Sequence, residues 1–453
     1  MTPFVAEQMR RRMYQVTEGP ATAVTGGAAD SRKVRAGDLF TAFRGEMADG
    51  NAYVSDALRR GAVAAICERA PEGSWPDKTI VVAPDALKAV GELANDWRRH
   101  CNPRVVGITG TVGKTTAKEL TAAALGCAFR THRSEGNFNS REGLPLALMS
   151  LTTEDEVSVL EMATDSTGEI PDLCRIAEPE VGVVLNVGLT HVSKIGSIEA
   201  IQAEKLSLAR YLPEHGTAVL NGDDPRVGPA AAELHCRVLT FGERDGSDLR
   251  RGPITDLGLA GVEFELTYAS ERRTVRSPLP GAHVAPAAMA AVGVGIALGM
   301  TFEDAVKAVG EAEVDGRMRP LETDTGAIII DDRYNSSPAS LAGALEMLSH
   351  LPGQRIALIG KMAELGDYEE GEHRKIGMLA AGCCDEIAAF GETGRTVIEA
   401  ARRAGARNAS WYATKEEAAA AVRKGLKRGD HVLVKGSRSE ALETVLPVLR
   451  GAQ

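Results

Sequence analysis

Short apolar runs, each bounded by glycine or a polar cluster, recur along this chain with stretches of helical period between them. The alternation is most regular over residues 315–453. Strands are predicted there at 327–330, 355–359, 386–390, 409–412 and 431–434, with helices at 337–349, 369–382, 394–404, 415–424 and 439–450. Such an order predicts a mostly parallel, doubly wound sheet, a Rossmann-like domain. Residues 103–314 read as a second domain, with buried strands at 157–160 and 181–186 and helices at 117–125 and 197–212. Residues 1–84 read as a small domain with strands at 38–43, 62–67 and 79–82 and a helix at 52–60; residues 85–102 read as a connecting helix. The predicted fold class is α/β in three domains: a small N-terminal one, a central mononucleotide-binding one and a C-terminal Rossmann-like one.

Composition narrows the class without changing this picture. A chain of 453 residues suits about three domains, and 44% hydrophobic residues with 4% aromatics makes their cores aliphatic. A net charge of −10 with no long basic block argues against a nucleic-acid footprint and against an anionic membrane surface. No apolar stretch approaches the roughly 18 residues of a spanning segment. The basic stretch at residues 9–13 lacks the apolar region that follows in a signal peptide. Seven cysteines without C-x-x-C spacing read as the reduced, mostly buried thiols of a cytoplasmic protein.

Candidate chemistry concentrates at residues 107–116. The apolar pair Val105-Val106, glycines at 107, 110 and 113, and a helix start bring backbone N–H groups to one point, a cradle for phosphate. Gly110, Thr111, Gly113, Lys114, Thr115 and Thr116 are its ATP-binding candidates. Lys114 would reach the terminal phosphates and the Thr115 hydroxyl would hold Mg²⁺. Ile108 stands where the usual phosphate loop has its first glycine, so this is a shorter variant.

Downstream residues say what the nucleotide meets. Glu161, at the end of a buried strand, is either a Mg²⁺ ligand or a capping residue; His191, after the next strand, is either a ligand or a structural histidine. Lys205 shares a helical stripe with Ile198, Ile201 and Leu208. Such a lysine either snorkels to water or is held buried, where its amine can add CO₂ to give a carbamate, an oxygen ligand for Mg²⁺. Ser31 and Arg32, in a polar loop, either bind a phosphate or carboxylate or are simply solvated. In the C-terminal region polar residues collect at strand exits, at 331–335, 360–362 and 435–438, which marks a binding face. Neither a dinucleotide G-x-G-x-x-G nor a G-x-S-x-G elbow occurs there.

In collinear order over nearly its whole length, the chain resembles the Mur ligase family. Asp30-Ser31-Arg32, residues 37–45 and Asp49-Gly50 are similar to its uridine-nucleotide domain, and residues 109–116 to its ATP loop. Residues 136–139, Glu161-Met162, His191 and the helix bearing Lys205 resemble its central motifs. Gly316-Arg317, residues 332–335 and 362–366, His373-Arg374 and residues 435–438 resemble its C-terminal set. The likeness is strongest to members that join D-alanyl-D-alanine to a UDP-linked muramoyl tripeptide.

The resemblance implies that ATP phosphorylates a carboxylate and that an amine then displaces phosphate to form an amide. Lys114, Glu161, His191 and Lys205 are the implied catalytic residues; Thr115, Glu161, His191 and Lys205 as a carbamate hold Mg²⁺, two ions in all. Asn139, His283, Arg317, Asp332, Tyr334 and Asn335 are implied at ATP, with a hinge near residues 312–316. Ser31, Arg32 and Asp49 bind the UDP substrate, and Lys361, Glu364, Lys435, Ser437 and Arg438 the acceptor. A cytoplasmic monomer without nucleic-acid or membrane partners is expected. The chain departs from the family pattern at Asn51, Ser140 and Lys361, where histidine, asparagine and aspartate are usual, and lacks asparagines at 284 and 287. A Mur-like ligase with another acid and amine, and a nucleotide-binding regulator without turnover, remain the other readings.

Overall fold

The computed structural model describes every residue except 46–47, 189–191, 315–317, 334, 364 and 452–453. Among the described residues, three sheets mark the three α/β domains. The first sheet holds β1 (Gln15–Thr17), β2 (Gly26–Ala28), β3 (Asp38–Thr41), β4 (Ala64–Cys67) and β5 (Thr79–Val82) in the order β1-β5-β4-β3-β2. Strands β2 to β5 run parallel and β1 is antiparallel to β5. Helices α1 (Thr2–Arg11) and α2 (Val54–Arg59) accompany it.

Helix α3 (Ala86–Cys101) follows, capped by the Asp85 carboxylate on the Lys88 N–H and ended at Asn102, in the left-handed conformation. It is much more than a tether. Ala89, Val90, Leu93 and Ala94 are buried in one core with Leu39 of β3 and with Val105, Leu160 and Leu173 from the region that follows. Buried Arg98 pairs with Glu178 at 3.0 Å, and Arg99 binds the same carboxylate.

The second sheet contains β6 (Arg104–Thr109), β7 (Thr131–Arg133), β8 (Val157–Glu161), β9 (Val181–Val184), β10 (Thr217–Asn221), β11 (Arg237–Gly242), β12 (Leu249–Asp256), β13 (Val262–Tyr268) and β14 (Glu271–Ser277). Its order is β14-β13-β12-β11-β10-β9-β6-β8-β7. The pairs from β10 through β9, β6 and β8 to β7 are parallel, whereas β12, β13 and β14 form an antiparallel meander. Helices α4 (Lys114–Leu125), α5 (Gly143–Leu148), α6 (Glu169–Ala177), α7 (Val192–Ile195), α8 (Ile198–Tyr211), α9 (Ala285–Ala297) and α10 (Phe302–Gly310) belong to this region. The sequence reading missed the meander because its strands bury one face only: Val262, Phe264 and Leu266 point inward while Glu265 is exposed and Glu263 is partly so.

The third sheet has β15 (Arg319–Glu322), β16 (Ile328–Asp331), β17 (Arg355–Ile359), β18 (Glu386–Phe390), β19 (Ala409–Tyr412) and β20 (His431–Lys435), ordered β15-β16-β20-β17-β18-β19. All its pairs are parallel except β15 with β16. Helices α11 (Pro338–Ser349), α12 (Glu369–Cys383), α13 (Gly391–Arg403) and α14 (Lys415–Gly425) match the expected positions. The helix expected at 439–450 is broken. Two short turns, Arg438–Glu440 and Leu442–Thr444, precede α15 (Leu446–Arg450), and Ala441 between them has φ +47°. That reversal places Leu442, Val445 and Leu449 in the core with Ile329, Leu358 and Val432.

Two compact units divide the chain: Met1–Gly110, Leu125–Val187 and Ser197–Thr240 form one, and Thr111–Ala124, Gly188–Gly196 and Phe241–Gln453 the other. Within the first, the seat of α8 is set by two glycines. Gly107 in β6 and Gly182 in β9 are register partners. A Cβ on Gly107 would lie 3.0 Å from Leu208 Cδ1 and 3.1 Å from Met162 Cε, and one on Gly182 would lie 3.2 Å from Leu208 Cγ. Bare backbone therefore forms a floor on which α8 lies close to the sheet. Gly107→Ala and Gly182→Ala are each expected to lower stability by roughly 1–3 kcal/mol through overpacking, as urea unfolding would show; unchanged midpoints would mean that the floor is loosely packed.

Candidate active site

Strand β8 ends at Glu161, whose register partner on β6 is Ile108, two residues before Gly110. The Glu161 side chain is 3% exposed. Asn139 Nδ2 donates to its Oε1 at 2.8 Å, while Oε2, itself buried, has no hydrogen-bond partner among the described residues. A buried carboxylate oxygen left without a donor is costly unless a cation or a ligand donor completes it. Asn139, expected at ATP, is thus the residue that orients Glu161.

Lys205 reaches the same strand-exit edge from α8. Ser197 caps this helix by accepting the Ala200 N–H, and Ile201 and Leu208 on the Lys205 stripe are fully buried. Lys205 is itself 1% exposed, and its Nζ donates to the Gly110 carbonyl at 3.1 Å. Of the two fates open to it, snorkelling is excluded: the amine ends on the backbone of the phosphate loop.

Beyond Gly110, the loop is braced by its own side chains. Thr111 Oγ1 donates to the Gly188 carbonyl at 3.2 Å and accepts the Gly188 N–H at 2.8 Å. Gly113 has φ +82°, a conformation that favours glycine, and α4 begins at the next residue. Lys114 Nζ lies 3.2 Å from the Thr111 carbonyl, folded over the loop that it is expected to serve. Thr115 and Thr116 occupy the first turn of α4. His191 lies outside the described residues, as do Arg317, Tyr334 and Glu364. The stretch at residues 185–187 is anchored by polar side chains at the exit of β10. Asn221 Nδ2 donates to the Leu185 carbonyl at 2.8 Å, and the Val187 N–H donates to Asp224 Oδ2 at 3.0 Å. The available signal was a run of Asn and Asp at the exit of β10, beside β9.

The C-terminal domain gathers its polar residues at the exits of β16, β17 and β20. Lys435 Nζ, 1% exposed, binds Asp332 Oδ2 at 2.5 Å and the Asn335 carbonyl at 2.9 Å. Two residues expected to meet different ligands are therefore paired with each other, and removing either alone would leave a buried charge, at a cost of roughly 3–5 kcal/mol. Lys361 Nζ pairs with Glu369 Oε2 at 2.7 Å, and its carbonyl accepts the Ser437 N–H at 2.8 Å. Ser437 Oγ lies 2.7 Å from Ser439 Oγ, and Arg438 is exposed. His283 stacks its ring where a Cβ on Gly343 of α11 would fall, 2.9 Å away.

In the N-terminal domain, buried Ser31 donates to Asp56 at 2.8 Å, and exposed Arg32 pairs with Asp30 at 2.9 Å. Asp49 Oδ1 accepts from the Asn51 N–H and side-chain amide, and Asn51 Oδ1 accepts the Glu68 and Arg69 N–H groups. The unusual Asn51 is a clamp between two loops.

A phosphate loop carrying a buried lysine on its carbonyl, beside an uncompleted carboxylate oxygen, defines a nucleotide-using α/β enzyme of the P-loop class. Three family models match in chain order: "Mur ligase family, catalytic domain" over residues 24–98, "Mur ligase middle domain" over 108–295, and "Mur ligase, glutamate ligase domain" over 316–438. The chain is 32% identical over 430 residues to the UDP-N-acetylmuramoyl-tripeptide–D-alanyl-D-alanine ligase of Bacillus subtilis strain 168, covering 94% of this chain and 93% of that one. With the ligase of the same name from Escherichia coli K12 it shares 31% identity over 429 residues, covering 93% and 92%. Among solved structures, MurF from Acinetobacter baumannii matches with a TM-score of 0.86 at 28% identity over 98% of both chains. MurF ligase from Thermotoga maritima, in complex with ADP, matches with a TM-score of 0.77 at 30% identity, covering 95% of this chain and 98% of that one. The chain belongs to the Mur ligase family.

His373 shows how the turn after β17 is held. Wholly buried, it accepts the Met362 N–H at Nε2, 3.0 Å away, and donates from Nδ1 to the Glu369 carbonyl at 2.7 Å. Both bonds require the neutral ring, and burial pushes its pKa below the ordinary 6.5. In the window below 6.5 the unfolded chain takes up a proton that the folded chain refuses, so stability falls as pH is lowered. Thermal unfolding between pH 7 and 5 should show a steeper loss in the wild type than in His373→Gln, which keeps a donor and an acceptor without a titrating ring; equal slopes would contradict this.

Proposed function

We propose that this chain forms an amide bond between the terminal carboxylate of a UDP-N-acetylmuramoyl tripeptide and the amino group of D-alanyl-D-alanine, with ATP converted to ADP and phosphate, in cytoplasmic peptidoglycan precursor synthesis. The observation that carries the proposal is likeness over more than nine-tenths of the chain to ligases of that name, joined to a phosphate loop whose carbonyl receives a buried lysine.

A carboxylate oxygen of the tripeptide attacks the γ-phosphorus of ATP and ADP leaves, giving an acyl phosphate. The acceptor amine, once it has lost its proton, adds to the acyl carbon; the C–O bond to phosphate then breaks and the amide remains. The protein's contribution is positioning and charge neutralisation. In this reading the N–H groups of Gly110 to Gly113 and the Lys114 ammonium cradle the phosphates, with Thr116, Asn139, His283, Arg317, Asp332, Tyr334 and Asn335 completing the nucleotide site. Ser31, Arg32 and Asp49 hold the UDP substrate, and Lys361, Glu364, Lys435, Ser437 and Arg438 serve the acceptor.

The unpartnered Glu161 Oε2 suits a hard cation. Thr115, Glu161, His191 and Lys205 would hold Mg²⁺, which when bound offsets phosphate charge. For Lys205 to join them, its neutral amine attacks the carbon of CO₂, an N–C bond forms, and one amine proton leaves to solvent, so that a cation becomes an anionic oxygen donor. The enzyme acts as a monomer.

Phosphate release should require both the UDP-muramoyl tripeptide and D-alanyl-D-alanine. Lys205→Ala should lower turnover by about 100-fold or more, the scale of a lost electrostatic stabiliser. Rapid turnover with another dipeptide and none with D-alanyl-D-alanine would redirect the specificity. ATP hydrolysis indifferent to any amine would sink the ligase reading.

A further inference from the structure

We infer that Glu204 is a positioning residue that fixes Lys205 relative to Glu161; the inference rests on Lys205 serving the reaction. Helix α6 starts after Gly168, whose φ is +83°. Glycine at that position has no side chain with which to satisfy the open N–H groups of the first turn. Glu204 does so from the neighbouring helix. The Gly168 N–H donates to its Oε2 at 2.8 Å and the Ile170 N–H to its Oε1 at 2.7 Å. The residue is 5% exposed, so both bonds form away from water. Its carboxylate sits at the positive end of α6.

The segment held in this way is the one that leaves the active site. Residues 162–168 connect Glu161, at the end of β8, to the start of α6. The next residue on α8 after Glu204 is Lys205, turned about 100° around the helix axis, with its amine on the Gly110 carbonyl. One adjacent pair therefore ties α8 to two loops: Glu204 to the loop behind Glu161, and Lys205 to the loop behind β6. The glycine floor sets how near α8 lies to the sheet; Glu204 sets its rotation and its position along its own axis. Glu204 is the strut that joins the element carrying the lysine amine to the loop that follows the carboxylate. Both oxygens of the Glu204 carboxylate are taken by backbone N–H groups, which makes its role one of positioning.

The test compares full-length wild type, Glu204→Ala, Glu204→Gln and Lys205→Ala with ATP, Mg²⁺, the UDP-muramoyl tripeptide and D-alanyl-D-alanine. Displacing Lys205 by an ångström or so is expected to lower kcat by roughly 10–100-fold in Glu204→Ala while each KM stays within about threefold. Glu204→Gln keeps one acceptor oxygen but turns an NH₂ toward the other N–H, and should fall between. A second readout is independent of turnover: ¹³C NMR under ¹³CO₂, with Lys205→Ala identifying the Lys205 carbamate signal, which should weaken in both Glu204 variants and need more bicarbonate to recover. A folded Glu204→Ala with wild-type kcat and wild-type signal would overturn the inference. So would a kcat lost only in proportion to unfolded protein, with normal carbamate occupancy in the folded fraction. If Glu204→Ala does not fold, the same two outcomes in Glu204→Gln decide. Wild-type activity in Lys205→Ala would instead defeat the reading of Lys205, and is distinguishable because it does not depend on Glu204.

Discussion

Helix α8 can lie against the sheet because Gly107 and Gly182 leave bare backbone beneath it. From that close approach follows the placement of Lys205, an amine withdrawn from water and resting on the Gly110 carbonyl. A lysine so deeply buried is expensive unless its charge is paired, relocated or chemically changed. The sequence places that demand beside a buried carboxylate with one uncompleted oxygen. The packing of one helix thus fixes where a buried amine meets the phosphate loop.

The C-terminal domain solves a different problem. Its parallel strands end in backbone and side-chain polar groups that must be satisfied at one crowded edge. Lys435 with Asp332, Lys361 with Glu369, and His373 with Met362 and Glu369 do this inside the domain itself. These bonds hold the exit turns in place, so that the polar groups they carry are preorganised. Gly360 and Gly436, whose backbones approach closely enough that a Cβ on either would lie 3.2 Å or less from the other's Cα, make the turns of β17 and β20 neighbours.

Much of this was legible in the residues. The C-terminal strands were placed nearly to the residue because a strand buried on both faces is a continuous apolar run with sharp ends. The phosphate loop was marked by glycines and a lysine, whereas the apolar stripe around Lys205 left open whether its amine snorkels or stays buried, and only the fold decides for burial. What escaped had weaker or misleading signals. The β12–β14 meander mixes charge into every strand, β15 is a short edge strand containing Pro320, and the final helix is interrupted by an alanine in a conformation that sequence gives no reason to expect. Glu204 was invisible for another reason. A glutamate beside a lysine on a helix reads as a solvated pair, and only the fold reveals that the two point to different loops.

The central claim is that ATP activates a carboxylate of the substrate rather than being hydrolysed beside it. It is tested most directly by labelling both oxygens of the tripeptide's terminal carboxylate with ¹⁸O and analysing the phosphate released during amide formation. An acyl phosphate hands one carboxylate oxygen to the departing phosphate, so one ¹⁸O per phosphate is the expected result. Unlabelled phosphate, formed at the same rate as the amide, would contradict the account.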